Sequence, residues 1–385
     1  ARAVGVEDTF CRTPVAVYFG QPGETVPDPF FDGEGPERTG CTRCGACMVG
    51  CRVGAKNTLV KNYLWFAEKT GAEVLPNRKV VDIKPAGAQD GSDGYEVYMQ
   101  SPALLGGKKQ CLRSKGLIFA GGALGTNRLL ADCKHRGSLP GISDRLGSLV
   151  RTNSESILAV TLPDDSARTW NSVAISSSIH IDHDTHIEVV TYGEKGDAMS
   201  LLFTLLTGNG TRWTRVFALL GNVVRHPIKF LKSLWPVGWS RRTVVLLVMQ
   251  SLDNAISFRA KPRWFGDGVR LKTEQDPEKP NPTYIDGGNK AAKWIAEHTG
   301  GIAQSMILEA TANIPTTAHV LGGAVVGKDA DSGVIDSEHR VFGYENLLVC
   351  DGSAVPANPG VNPSLTIAAM AERAMSKIPE KREAE

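Results

Sequence analysis

The stretch Gly343-Tyr-Glu-Asn-Leu-Leu-Val-Cys-Asp351-Gly352-Ser353, followed by Pro356 and then by Gly360-Val-Asn362-Pro363-Ser364-Leu-Thr-Ile, decides how this chain is read. The pattern predicts a buried strand, an acidic turn, a Gly/Pro-rich loop and a helix opening at Asn362-Pro363. Proline suits the first turn of a helix, where its missing N–H would be an orphan anyway. The next backbone N–H groups, with the positive end of the helix dipole, then face whatever lies above them. Such an end suits a ligand that must hold negative charge.

Working outward, three more motifs stand in order ahead of this one. They are Gly54-Ala-Lys56-Asn57-Thr58-Leu, Phe119-Ala-Gly-Gly-Ala-Leu-Gly125-Thr-Asn-Arg-Leu-Leu, and His319-Val-Leu-Gly322-Gly323. Together the four resemble the glucose–methanol–choline (GMC) oxidoreductases, in their cholesterol oxidase-like branch, over roughly residues 40 to 377. The resemblance implies an α/β (α+β) fold with two parts. One is a discontinuous Rossmann-like FAD-binding part; the other is a substrate domain with a large antiparallel sheet covered by helices. The implied division is 1–57 as a connector with a Cys-rich segment, 58–150 and 341–385 as FAD-binding portions, and 151–340 as the substrate-binding domain. Members of the family open with a strand–Gly-x-Gly-x-x-Gly–helix that cradles the FAD pyrophosphate. No such fingerprint stands here and the chain starts with Ala. A piece of a longer protein, with an incomplete FAD-binding part, is therefore expected.

Composition bounds the alternatives. The chain has 385 residues, 42% hydrophobic and 22% charged, with a net charge of +2. These values describe a globular chain with ample core, and no basic stripe points to nucleic acid. No apolar run approaches the ~20 residues of a membrane span, and no secretory leader is visible. The expected location is cytoplasmic or peripheral to a membrane.

Periodicity predicts a helix over 58–70, strands at 72–75, 80–83, 95–99 and 116–120, and a Gly-rich hairpin near 85–95. Alternation at 156–161, 172–181 and 185–190 predicts a second, antiparallel sheet. Residues 199–236 and 289–309 read as helical, with a strand starting at 244–248.

The resemblance assigns roles residue by residue. It places His319 against flavin and substrate hydroxyl, where a near-neutral imidazole can take or orient a proton while hydride leaves the same carbon. It places the Asn362 amide beside the flavin and substrate oxygen, and Asn before Pro is also a common helix N-cap. Asp351 and Gly352 resemble contacts to the flavin ribityl and phosphate. Pro363 and the N–H of Ser364 face the flavin pyrimidine edge. Val80 matches a backbone contact to adenine, with Gly121 and Gly122 near the adenosine half. Glu188, in His186-Ile-Glu188-Val-Val, resembles the carboxylate that shuttles a proton between carbons and moves a steroid double bond into conjugation. An exposed strand Glu is the commoner use of such a position. The alternating His180, Asp182, Asp184, His186 and Glu188 also invite a metal reading, but on one strand they would spread over roughly 27 Å.

Two features stand apart from that set. Cys41, Cys44, Cys47 and Cys51 spell C-x2-C-x2-C-x3-C, the spacing of bacterial ferredoxins. An iron–sulfur cluster, zinc and free thiols all remain open. Residues 212–235 mix Arg212, Arg215, Arg225, His226, Lys229 and Lys232 with large apolar residues. A helix of this kind can lie in a membrane interface, or can cover the substrate domain. The expected partners are a sterol or other apolar alcohol, a membrane surface at 212–235, and oxygen or a carrier as electron acceptor.

Overall fold

The computed structural model describes residues 1–102 and 107–379. Its α-helices are, in chain order, α1 (Tyr63–Lys69), α2 (Gly122–Arg136), α3 (Arg212–Arg225), α4 (Pro227–Leu234), α5 (Trp239–Arg242), α6 (Asp286–Thr299), α7 (Ile307–Ala312) and α8 (Ser364–Met375). The chain divides into two compact units. The first comprises 1–74, 155–249 and 282–316; the second comprises 75–154, 250–281 and 317 onward.

The first unit is built on a six-stranded sheet. Its order is Phe203–Leu205, Ile302–Met306, Ser156–Thr161, Thr243–Gln250, Thr185–Val190, Ile175–His180. The central strand reads Thr-Val-Val-Leu-Leu-Val-Met-Gln and is buried on both faces, as an unbroken β-branched and aliphatic run requires. Its side chains alternate between two cores. Leu246 and Val248 join Leu158, Val160 and Ile187 under α6, while Val245, Leu247 and Met249 join Ala159, Phe203 and Trp239 on the other face. Gly288 allows α6 to lie this close, because a Cβ there would stand 2.6 Å from a Val248 methyl.

Four sequence expectations are corrected here. The helical stretch 199–236 contains the strand Phe203–Leu205, and 289–309 contains the strand Ile302–Met306. These two pair with each other antiparallel, Phe203 opposite Met306. Gly300, at φ 69°, ends α6 in the left-handed conformation and releases the chain into the second strand. No strand forms at 72–75. The proposed one-strand metal face is a hairpin instead, with Asp182 and Asp184 in its turn and the rings of His180 and His186 stacked at 4.6 Å.

The second unit holds three small sheets. Lys79–Pro85, Tyr95–Gln100 and Lys109–Ser114 form an antiparallel one. Leu117–Phe119 and Leu347–Val349 form a parallel pair. Val269–Gln275, Ile256–Pro262, Ser148–Arg151 and Leu321–Gly323 form a four-stranded one. Ile83, Tyr95, Val97, Phe119, Leu130 and Val349 share its core. The mixed α/β class with antiparallel sheets is as the sequence predicts.

Candidate active site

In the second unit the strand Leu347–Val349 lies parallel to Leu117–Phe119, and each runs into a turn at its carboxyl end. Asp351 ties the two turns together. Its Oδ2 accepts from Gly122 N at 2.9 Å and Thr126 Oγ1 at 2.5 Å; its Oδ1 accepts from Ser353 N and Ser353 Oγ. The carboxylate is 8% exposed and takes four donors. Its side chain therefore works inside the protein, and a ligand at this turn meets backbone. Gly122 has φ 73°, which lets the chain turn into α2.

His319 sits on the loop ahead of the strand Leu321–Gly323. Its backbone N donates to Thr317 Oγ1, and that hydroxyl donates to the Thr152 carbonyl. Asn153, wholly buried, reaches the ring. Its Nδ2 lies 3.5 Å from His319 Nδ1 and donates to the Val361 carbonyl at 2.9 Å; its Oδ1 accepts from Gly360 N at 3.1 Å. These bonds fix which end of the amide is which. One side chain thus joins His319 to the residues just ahead of Asn362.

Asn358 reinforces the join. Its Oδ1 accepts from Thr152 N and Asn153 N, and its Nδ2 donates to Leu252 O and to both oxygens of Asn254. Arg151 closes the network through Pro356 O, Asn254 O and Asp253. Asp253 is held below the usual carboxylate range by its bonds to Lys279 and then Arg151. Sequence reading missed Asn153, Asn358 and Arg151. The signal was faint: Asn153 needs φ 54°, a conformation for which Asn is enriched.

The helix start is shifted from its expected place. Pro363 occupies the N-cap position and α8 begins at Ser364, with no side-chain cap hydrogen bond. Ile367 N is the first to reach back, to Pro363 O. The N–H groups of Ser364, Leu365 and Thr366 precede that bond. Gly352 packs where a Cβ would meet Ile367 and Leu321 at 3.3 Å.

A groove of about 860 Å3 runs along the three-stranded sheet, lined by Val80, Met99, Ile118, Phe119, Gly121 and Leu129 among others. Val80 and Gly121, expected on the adenosine side, thus share one surface.

Glu188 and the cysteines belong to the first unit. Glu188 is 2% exposed on the strand Thr185–Val190, opposite Ser178. This overturns the exposed alternative. Ile187 and Val189 pack toward α6, so Glu188 and His186 point to the opposite face. Burial shifts the Cys41 thiol up, against one N–H from Arg43, and the charges of Cys47, Cys44 and Cys51 add to the rise. Burial also works against the Cys51 thiolate, yet the N–H groups of Lys56, Ala55, Gly54 and Val53 outweigh it and lower its pKa. The four cysteines line a cavity of about 10 Å3, room for roughly one water. Among the described residues no three His, Cys, Asp or Glu side chains are placed to hold a metal ion.

Residues 268–371 match the family model described as GMC oxidoreductase. The chain belongs to this family, whose members are FAD-dependent oxidoreductases acting on CH–OH groups. It is 47% identical over 385 residues to a cholesterol oxidase of Acinetobacter baumannii, covering 98% of this chain and 69% of that protein. It is 48% identical over 403 positions to a cholesterol oxidase of Mycobacterium tuberculosis (strain ATCC 25618 / H37Rv), covering 100% and 67%. The chain thus spans about two thirds of these relatives. Among solved structures, pyridoxine 4-oxidase from Mesorbium loti aligns with a TM-score of 0.51 at 13% identity, over 85% of this chain and 62% of that one. That likeness bears on the fold alone.

Proposed function

We propose that this protein oxidises the 3-hydroxyl of a sterol or steroid to the ketone and then moves the ring double bond into conjugation. One observation carries the reading: Asn153 holds His319 on one side and the chain ahead of Asn362 on the other. Two groups suited to a single substrate oxygen are set by one buried amide.

The residues fit FAD. The start of α8 at Ser364 offers backbone N–H groups and a positive dipole end to a ring that becomes anionic on reduction. The groove beside Val80 and Gly121 has space for an adenosine. FAD, when bound, supplies the acceptor for the hydride leaving the carbinol carbon. Asp351 and Gly352 shape the turn beside it, and Pro363 and Ser364 lead the helix toward it. Asn153 faces His319 Nδ1 with an N–H, so the neutral ring carries its proton on Nε2. That Nε2–H holds a water that takes the hydroxyl proton as hydride leaves the carbon, with the Asn362 amide as a second polar partner of the substrate oxygen. A carboxylate in Glu188's dry surroundings suits proton transfer between carbons after oxidation. Molecular oxygen is the acceptor we favour. An exit through iron–sulfur at Cys41, Cys44, Cys47 and Cys51 has no observation of comparable weight behind it.

The test uses the FAD-loaded protein from its complete reading frame. His319→Ala is expected to lower steroid turnover by roughly 10²–10⁴-fold while the flavin spectrum stays in place. Near-normal turnover would sink the mechanism. Glu188→Gln should still form the ketone but release it unconjugated, seen as loss of the enone ultraviolet band. Unchanged enone formation removes Glu188 from the chemistry. Oxygen uptake, and iron with acid-labile sulfide in the purified protein, decide between the two acceptors.

A further inference from the structure

Helices α3 and α4 carry an exposed apolar stripe in addition to the side they turn inward. Trp213, Phe217, Leu220 and Val224 form one stripe along α3, at steps of three and four residues. The same step carries across Pro227 to Ile228 and Leu231 on α4 and then to Trp235. All of these are exposed, from 56% at Leu220 to 80% at Val224. The inward side is mixed: half-buried Val216, Leu219, Val223 and Phe230 lie among polar groups. Arg215 is 1% exposed and Ser233 wholly buried, and Asn222 donates to the Leu206 carbonyl. A surface helix pair that shows water a continuous stripe of aromatic and aliphatic residues, beyond those it packs inward, is suited to an apolar partner.

Charge narrows the partner. No Asp or Glu occurs between Asp197 and Asp253, while Arg212, Arg225, Lys229 and Lys232 lie on or beside the stripe on α3 and α4. Two copies meeting through this face would bring those cations together, because a two-fold contact pairs a patch with itself. A leaflet with anionic headgroups satisfies both halves of the pattern. The apolar stripe enters the headgroup–acyl boundary, and the long Lys and Arg side chains reach back to the phosphates. Trp213 and Trp235 stand at the two ends of the stripe, and tryptophan is favoured at that depth. At 14 and 8 residues the helices are too short to span, so they lie in the plane.

We infer that α3 and α4 form one in-plane dock for anionic membrane surfaces. The inference stands whichever alcohol the protein oxidises. It is tested by flotation of the FAD-loaded protein, from its complete reading frame, with phosphatidylcholine vesicles with and without phosphatidylglycerol. Binding is expected to favour the anionic vesicles and to weaken with salt. Phe217→Glu with Leu231→Glu should cut the partition coefficient by roughly a hundredfold. Lys229→Gln with Lys232→Gln should cut it severalfold on anionic vesicles only. Turnover of substrate delivered in detergent should match wild type in both double variants, which separates docking from misfolding. The inference falls if wild-type protein ignores both vesicles, or if the double glutamate variant binds as wild type does. Equal affinity for neutral vesicles removes the anionic partner. A dimer in sedimentation velocity that the glutamates dissociate would make the face a contact between copies and overturn the dock.

Discussion

Two buried polar clusters, one in each unit, act on the chain around them in different ways. In the first unit Arg215 and Glu309 form an ion pair at 2.8 Å with both side chains fully buried. The guanidinium also donates to Thr207 Oγ1, Thr283 O and Asn313 Oδ1, and Ser156 Oγ donates to the other Glu309 oxygen. In the second unit Asn153 and Asn358 are neutral amides whose partners are mostly backbone, with one side chain each, His319 and Asn254. The ion pair turns one face of a helix inward and leaves the other to the outside. The amides instead fix the course of loops, where a few tenths of an ångström matter to a reacting oxygen. Charge is used where direction is at stake, and amides where local shape is at stake.

The sharpest way to break this comparison is to remove one charge. Arg215→Met should cost about 3–5 kcal/mol in denaturant unfolding, because Glu309 is left buried without its counterion. Arg215→Met together with Glu309→Met should recover most of that loss, as apolar replacements of both partners often do. If the single and double variants are equally destabilised, packing rather than charge orients α3. The double variant also asks whether α3 keeps its outward stripe, which vesicle flotation reads directly.

On the amide side the expected effect is smaller and lies in turnover. Asn153→Ala should lower kcat roughly 10–100-fold with modest loss of stability, since His319 and the Gly360–Asn362 loop lose their common partner. Asn153→Asp keeps the size but turns the group facing His319 into an acceptor with negative charge. The acidic limb of its kcat profile should move to higher pH by about one unit, as a neighbouring carboxylate favours the protonated ring. A merely structural asparagine would change stability and leave that limb in place. A stable Asn153→Ala protein with unchanged kcat and pH profile would remove it from the site.

The parts legible in the sequence were those set by local pattern. The strand Thr185–Val190 follows from strict alternation, and Leu117–Phe119 from its apolar run into glycine. Phe203–Leu205 and Ile302–Met306 were hidden, because each is short, follows a helical segment, and exists only through pairing with the other. His319 and Asn362 stood out in their motifs, whereas Asn153 did not. Its role depends on Gly360 and Val361, more than two hundred residues away in sequence. The amphipathic character of 212–235 was also legible. Its orientation was not, because Arg215 inward is decided by Glu309, which pattern alone cannot place.

A last, smaller effect concerns how the end of the α3–α4 pair is tethered. Asp197 accepts from Gly238 N at 2.9 Å on one oxygen, and from Ser240 N and Ser240 Oγ, both at 2.9 Å, on the other. Burial alone would raise its pKa, but the Ser240 and Gly238 N–H groups, the Ser240 hydroxyl and the Arg242 charge together hold it below the usual carboxylate value. A depressed folded-state value means this carboxylate stabilises the fold above the unfolded pKa near ~3.9, and that contribution fades as pH falls through the lower folded value. Asp197→Asn keeps one acceptor oxygen and sets an amide N–H against a donor. It should cost about 1 kcal/mol at neutral pH, a modest figure because the site is only partly buried. Below both pKa values the gap between variant and wild type should narrow, since the wild-type carboxyl is then neutral too. Unfolding curves for the pair at neutral pH and at successively lower pH, from the unfolded pKa downward, measure that narrowing. A gap that stays constant would mean the α4–α5 turn is held by backbone geometry, and that the charge on Asp197 contributes nothing to keeping the stripe in place.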